Sequence, residues 1–322
     1  MIDLKDLKII ISGLDNAGKT SILTAFNKRY DFQKEILELA PTRKVEYHHT
    51  EFLDTSIHFW DMGGQEKYRT DYISKQDLYF AGTNLLIYVI DIQDEVRYKS
   101  SHEYLLNILQ YFEENNMKVP LIVAFHKFDP NLRDDPKLIK NVRNLTREVF
   151  KLEQLTMLFV QTSIYNILSI VHLLSAALSI FDDKHLVLEE LFKNYLKDFD
   201  SKSLILFDKN GVIISEYYTE SMEFDLYLDL MKSIKEHIVV LKKIQEENYE
   251  YDSDFNPINN QIGSYLRRIK LNDDTFYITA AGRQELKPWC RRHIVLIVAV
   301  ATFIVAAVAA LFTILVYLRG CE

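Results

Sequence analysis

The stretch "GLDNAGKT", Gly13 to Thr20, constrains this chain more than any other. It fits G-x-x-x-x-G-K-[ST]. It lies between an apolar run, "LKIIIS", and a helical stretch, "SILTAFNKRY". Its glycines let the backbone wrap closely around a phosphate. Successive N–H groups and the following helix N-terminus offer that phosphate partial positive charge. Lys19 adds a full charge across the β- and γ-phosphates, and Thr20 can bind Mg²⁺. The expected phosphate-binding residues are therefore Asp15, Asn16, Ala17, Gly18, Lys19, Thr20 and Ser21.

A second element, "FWDMGGQ" (Phe59 to Gln65), has the matching chemistry. Asp61 ends a predicted strand, where it can hold Mg²⁺ through water. Gly64 permits a backbone N–H to approach the γ-phosphate, and Gln65 can orient an attacking water. A hydroxyl that reaches the metal should lie between the two motifs. Thr42 is favoured, with Thr50 and Thr55 as rivals that fall within or beside predicted strands. The expected metal set is Thr20, Thr42 and Asp61, and the expected catalytic residue is Gln65.

Strands at 7–12, 43–52, 55–61, 84–91, 119–125 and 156–161 alternate in large part with helices at 101–116, 136–150 and 166–181. That rhythm predicts a mainly parallel sheet wrapped by helices, an α/β P-loop fold, over residues 1–182. Residues 183–290 change rhythm and read as a small α+β domain. It has a helix at 184–198, a hairpin turning at Asn210-Gly211, a long amphipathic helix at 223–246, a polar loop with Pro257, and strands at 263–270 and 274–280.

The apolar run "PLIVAF" leads into "HKFD", His126 to Asp129. A carboxylate is acceptor-only. Guanine offers Asp129 its N1–H and 2-amino group, whereas adenine offers neither there. The wrong base leaves a buried carboxylate unpaired, which discriminates by about 10⁴-fold or more. The stem of Lys127 can cover the base plane. His126, Ser163 and Ile164 complete the expected guanine-binding set. A histidine can change charge near pH 6.5, so guanine-nucleotide affinity is expected to vary between pH 5.5 and 7.5.

"GLDNAGKT", "PT" and "WDMGGQE" together resemble the Arf and Rag branches of the Ras-like small GTPases, over about residues 7–182. "HKFD" and "TSIY" look like the Rag forms of the two base motifs. The element order at 203–280 is similar to the roadblock-type domain through which Rag proteins pair. The resemblance implies GTP and GDP as ligands with Mg²⁺, and GTP hydrolysis that is slow without an activating partner. It further implies a GTPase-activating protein, an exchange factor, and a second Rag-like GTPase or roadblock-domain protein as partners.

The formal charge of −8 argues against a general nucleic-acid binder. Ile294 to Leu318 holds 25 residues without a charge. As a helix it would span about 37 Å, enough for a ~30 Å hydrocarbon core, and would favour insertion by roughly 5–10 kcal/mol. Lys287, Arg291 and Arg292 precede it. The expectation is a single-pass membrane protein with a C-terminal anchor over 291–322 and its body in the cytosol. Cys290 and Cys321 abut that segment, where S-acylation is an option.

Overall fold

The computed structural model describes residues 6–27, 39–52, 55–132, 134–150, 156–181, 201–208, 213–218, 230, 233–234, 236–237, 253–257, 262–271 and 274–283. The chain divides into two compact units, Met1–Phe181 and Asp182–Glu322.

The first unit opens with β1 (Asp6–Ser12) and α1 (Lys19–Asn27). The hairpin β2 (Val45–Phe52) and β3 (Thr55–Met62) follows. Then come α2 (Glu66–Ser74), α3 (Gln76–Phe80), β4 (Leu85–Asp91), α4 (Tyr98–Glu114) and β5 (Leu121–His126). The unit closes with α5 (Pro136–Phe150), β6 (Met157–Thr162) and α6 (Ile167–Ser179). Its six strands run in the order β2-β3-β1-β4-β5-β6, all parallel except β2, which pairs antiparallel with β3. Ile9–Ile11, Leu85–Val89 and Leu121–Phe125 are buried. Such unbroken apolar runs are what strands covered on both faces require. On α4, Tyr104, Leu105, Ile108, Leu109 and Phe112 recur at helical spacing and pack into the same core. The α/β expectation holds for this unit, and α2 and α3 add helices at positions where none was expected.

The second unit carries a five-stranded antiparallel sheet. Its strands are β7 (Ser201–Asp208), β8 (Ile213–Tyr218), β9 (Ser253–Pro257), β10 (Ile262–Leu271) and β11 (Asp274–Arg283), in the order β8-β7-β11-β10-β9. Residues 230, 233–234 and 236–237 are helical, with Leu230, Ile234 and His237 buried at helical spacing. His237 Nδ1 lies 3.2 Å from Thr279 Oγ1, and the Ser233 and Ser264 hydroxyls are hydrogen-bonded. Ser253–Pro257, expected as loop, is an edge strand on β10. Its Pro257 sits at the strand end, where a missing N–H does little harm. The helix expected at 184–198 and the Asn210-Gly211 turn lie outside the described residues.

The membrane expectation is corrected here. Among the described residues no helix is long and apolar enough to cross a membrane. The 17-residue α4 would span only ~25 Å and carries Lys99, Glu103, Glu113 and Glu114. The uncharged α6 has 13 residues, or ~20 Å. Both fall short of a ~30 Å core. The stretch 294–318 and both cysteines lie outside the described residues, and a single-pass membrane location is withdrawn.

Candidate functional site

The C-terminal ends of β1, β3, β4, β5 and β6 converge on one edge of the sheet, where ligands of open α/β folds sit. Between β1 and α1 the chain makes its phosphate-type loop. Gly13 has φ +144°, and a Cβ there would lie 2.3 Å from the Val89 carbonyl oxygen. Gly18 has φ +95°, and a Cβ there would lie 2.3 Å from His126 Cδ2. Asn16 adopts φ 58°, a left-handed conformation that asparagine tolerates. The loop therefore closes only because glycine stands where two neighbouring strands press on it.

Lys19 is 5% exposed, and its Nζ donates to the carbonyls of Gly13 at 3.2 Å and Leu14 at 2.8 Å. Burial lowers its pKa to about 8, against the opposing pull of Asp61 and Asp15. A buried ammonium held by neutral carbonyls gains most from an anion placed beside it. Gly64 presses on the loop as well. A Cβ there would lie 2.2 Å from Asp15 N, which itself donates to the Gly64 carbonyl at 3.1 Å. The Gly64 carbonyl is thus engaged by the loop, and its N–H is the group the expectation assigned to a γ-phosphate. Arg69 Nε donates to the same carbonyl at 2.9 Å and steadies the turn.

Thr20 Oγ1 donates to Asp61 Oδ2 at 2.5 Å. Thr42 Oγ1 lies 2.7 Å from Thr20 Oγ1 and 3.4 Å from Asp61 Oδ2. Thr42, rather than Thr50 or Thr55, is thus the hydroxyl brought to Asp61. Asp61 is fully buried, and its Oδ1 has no hydrogen-bond partner among the described residues. Burial raises its pKa, with Lys19 the strongest opposing influence. Three hard oxygen donors, the Thr20 and Thr42 hydroxyls and Asp61 Oδ2, gather at one point and suit Mg²⁺, which prefers oxygen ligands and keeps several waters.

Lys19, Thr20, Thr42 and Gly64 line one open cleft of about 240 Å³, with Asp61 buried behind the two threonines. Asp15, Asn16, Gly18, Lys19, Thr20 and Ser21 line one side, and residues 39–42 with Gly64 and Gln65 line the other. Ala17 is buried behind the loop. Gln65 caps the start of α2 with its backbone, leaving its side chain at the rim.

The second cluster forms around Asp129. Its Oδ1 accepts from Ser163 Oγ at 2.6 Å and its Oδ2 from Gln93 Nε2 at 3.1 Å. Lys127 adopts φ 63° and its Nζ bonds Asp91 Oδ2 at 2.6 Å. Ile164 lies in the turn that Ser163 and Asn166 bridge. His126 does not point to this cluster's open side. It is 1% exposed, its Nδ1 lies 2.8 Å from Thr162 Oγ1, and its ring covers Gly18. Burial, with a smaller push from Lys127, lowers its pKa to about 3. The expectation that His126 titrates between pH 5.5 and 7.5 is therefore corrected: a desolvated ring beside an ammonium stays neutral there.

Four contributors escaped the sequence reading. Arg97 Nη1 donates to the Asp15 carbonyl at 3.1 Å and to its Oδ1 at 3.2 Å, while Arg97 Nε bonds Asp94. Gln93, Asp91 and Arg69 are the others. Asp91 ends a buried parallel strand, a position that marks the ligand edge, and could have been found. Nothing in the spacing of Gln93, Arg97 or Arg69 announces them.

The model of the ADP-ribosylation factor family matches residues 1–175, more than half of the chain. The chain belongs to the ADP-ribosylation factor family. Among relatives in this family, it is 36% identical over 124 residues to ADP-ribosylation factor-like protein 3 of Chlamydomonas reinhardtii, covering 38% of this chain and 64% of that protein. It is 31% identical over 152 residues to ADP-ribosylation factor-like protein 2 of Drosophila melanogaster, covering 47% and 73% respectively. It is 34% identical over 126 residues to ADP-ribosylation factor-like protein 5 of Caenorhabditis elegans, covering 39% and 64%. Against solved structures, it aligns with the whole of the Arl6 BBS3 small GTPase from Trypanosoma brucei, determined with the nucleotide analogue GppNp. That alignment covers 55% of this chain at 18% identity and a TM-score of 0.43. The first unit is the Arf-family domain, and its P-loop α/β fold is the family's.

Proposed function

We propose that this chain is a guanine-nucleotide switch that binds GTP and GDP with Mg²⁺ and hydrolyses GTP slowly unless a partner accelerates it. The observation that carries the reading is one cleft lined by Lys19, Thr20, Thr42 and Gln65, with the buried Asp61 hydrogen-bonded to Thr20 and Thr42 behind it. Lys19 and the loop N–H groups bind the β- and γ-phosphates. Thr20, Thr42 and Asp61 would hold the magnesium, which supplies charge neutralisation at the phosphates. Gln65 orients water for in-line attack, and Asp129 with Ser163 selects guanine. Thr42 and Gly64 lie on segments that a γ-phosphate contact would order and hydrolysis would release.

"HKFD" and "TSIY" support placing the chain near the Rag branch. The antiparallel sheet of the second unit supports a role in pairing, with a second Rag-like GTPase or a roadblock-domain protein. Among the described residues β8 and β9 end that sheet, the positions from which strand augmentation proceeds. An activating protein and an exchange factor complete the cycle.

Competition binding on the full-length chain tests the reading. GTP and GDP should bind at least 100-fold more tightly than ATP and ADP; equal affinities would sink it. In single-turnover hydrolysis, Gln65→Leu should slow the reaction by about 10²-fold or more, the scale of one positioned catalytic group, with GDP affinity unchanged. An unchanged rate would make the protein a nucleotide-bound scaffold instead.

A further inference from the structure

The orphaned oxygen of Asp61 has neighbours outside the cleft. Glu46 stands directly opposite Asp61 in the β2–β3 ladder, and His48 follows two residues on, so all three share a face of the hairpin. One ligand atom from each of Glu46, His48 and Asp61 lies within 4.8 Å of the other two. His48 Nε2 is buried with no hydrogen-bond partner, as is Asp61 Oδ1. Two unpaired buried polar atoms side by side are costly, and a shared positive centre that takes Nε2 as a neutral ligand nitrogen would satisfy both.

We propose that Glu46, His48 and Asp61 form a second divalent-cation site, of the kind that takes Zn²⁺ or a similar borderline metal. It is distinct from the magnesium position, because Thr20 and Thr42 occupy the other oxygen of Asp61. An imidazole with two carboxylates is a ligand set for Zn²⁺ rather than for Mg²⁺, which wants oxygen alone. Zinc sits about 2.0–2.2 Å from such ligands, so the three need close by no more than a rotamer adjustment. The exposed Glu46 is free to make it. Two cations sharing a carboxylate about 3.5–4 Å apart are an established arrangement in proteins. A metal here would tie β2 to β3 at Glu46, four residues after Thr42. The inference shares only Asp61 with the nucleotide reading, and its Zn²⁺ readout is separate from nucleotide binding.

Calorimetric titration of the full-length chain with ZnCl₂, in excess Mg²⁺, tests it. One micromolar or tighter Zn²⁺ per chain is expected, weakened at least 10-fold by His48→Gln and by Glu46→Gln. Co²⁺ in place of Zn²⁺ should show a visible absorption band that His48→Gln removes. The opposite face of the hairpin holds a rival cluster: the His49 and His58 rings lie 5.1 Å apart, and His58 Nε2 is 3.4 Å from Asp6. His49→Ala should leave binding unchanged. Absence of tight Zn²⁺ binding, or loss of it in His49→Ala with retention in His48→Gln, overturns the proposal. Should His48→Gln fail to fold by circular dichroism, Glu46→Gln alone decides, since its exposed side chain supports no packing.

Discussion

The two ends of the candidate site, the phosphate-loop cleft and the cluster around Asp129, are built on different principles. At the phosphate end, backbone does most of the work: the loop closes because Gly13, Gly18 and Gly64 lack side chains against Val89, His126 and Asp15. At the base end, side chains do it. Asp129 is held by Ser163 and Gln93, and Lys127 by Asp91, across sequence separations of 34 to 36 residues. The first construction fails all at once when one atom is added. The second weakens step by step, one hydrogen bond at a time.

The harshest way to test that contrast is Gly18→Ala. A left-handed φ and a 2.3 Å overlap with His126 combine. Each costs about 1–3 kcal/mol, so unfolding in urea should show a loss of roughly 2–6 kcal/mol, with nucleotide binding abolished. Adding His126→Ala should restore part of that loss. A double variant no better than the single one would mean that the two ends are not coupled through this contact.

Ser163→Ala probes the gradual side. One charge-assisted hydrogen bond to Asp129 is worth about 1.5–3 kcal/mol, so GDP affinity should fall roughly 10- to 150-fold with the fold intact. Collapse of the protein, as for Gly18→Ala, would erase the distinction drawn between the two ends.

The smallest effect is a pH slope. His126 has its pKa lowered from 6.5 to about 3, so between those values the unfolded chain binds a proton that the folded chain refuses. Stability from this group is complete above pH 6.5 and declines as pH falls, by at most ~1.4 kcal/mol per unit. Going from pH 7.5 to 5.5 should remove about 1 kcal/mol in the native protein and less in His126→Asn. GDP affinity over the same range should stay flat. A matching slope in affinity would show that the ring is reached by solvent or ligand.

The strand and helix pattern of the first unit was legible because buried parallel strands are unbroken apolar runs and α4 repeats at helical spacing. The glycine-lysine loop was legible because its spacing is dictated by backbone geometry within one turn. Thr42 was legible only as a preference among three hydroxyls, since hydroxyl chemistry is identical at Thr50 and Thr55. Gln93 and Arg97 were not legible. Their contribution comes from where the β4–α4 connection lands, and no local pattern encodes that landing.

His126 shows the same divide inside one residue. Its identity within "HKFD" points to a branch of a family. Its protonation state depends on a full enclosure by Thr162, Gly18 and Lys127 that no spacing reveals. By itself the sequence determined the fold of the first unit and the chemistry of its phosphate loop, because backbone sterics and apolar periodicity act over a few residues. Only the tertiary structure decided which hydroxyl meets Asp61, what holds Asp129, and that His126 stays neutral. Hydrogen-bond partners and desolvation are set by chain segments far apart in sequence.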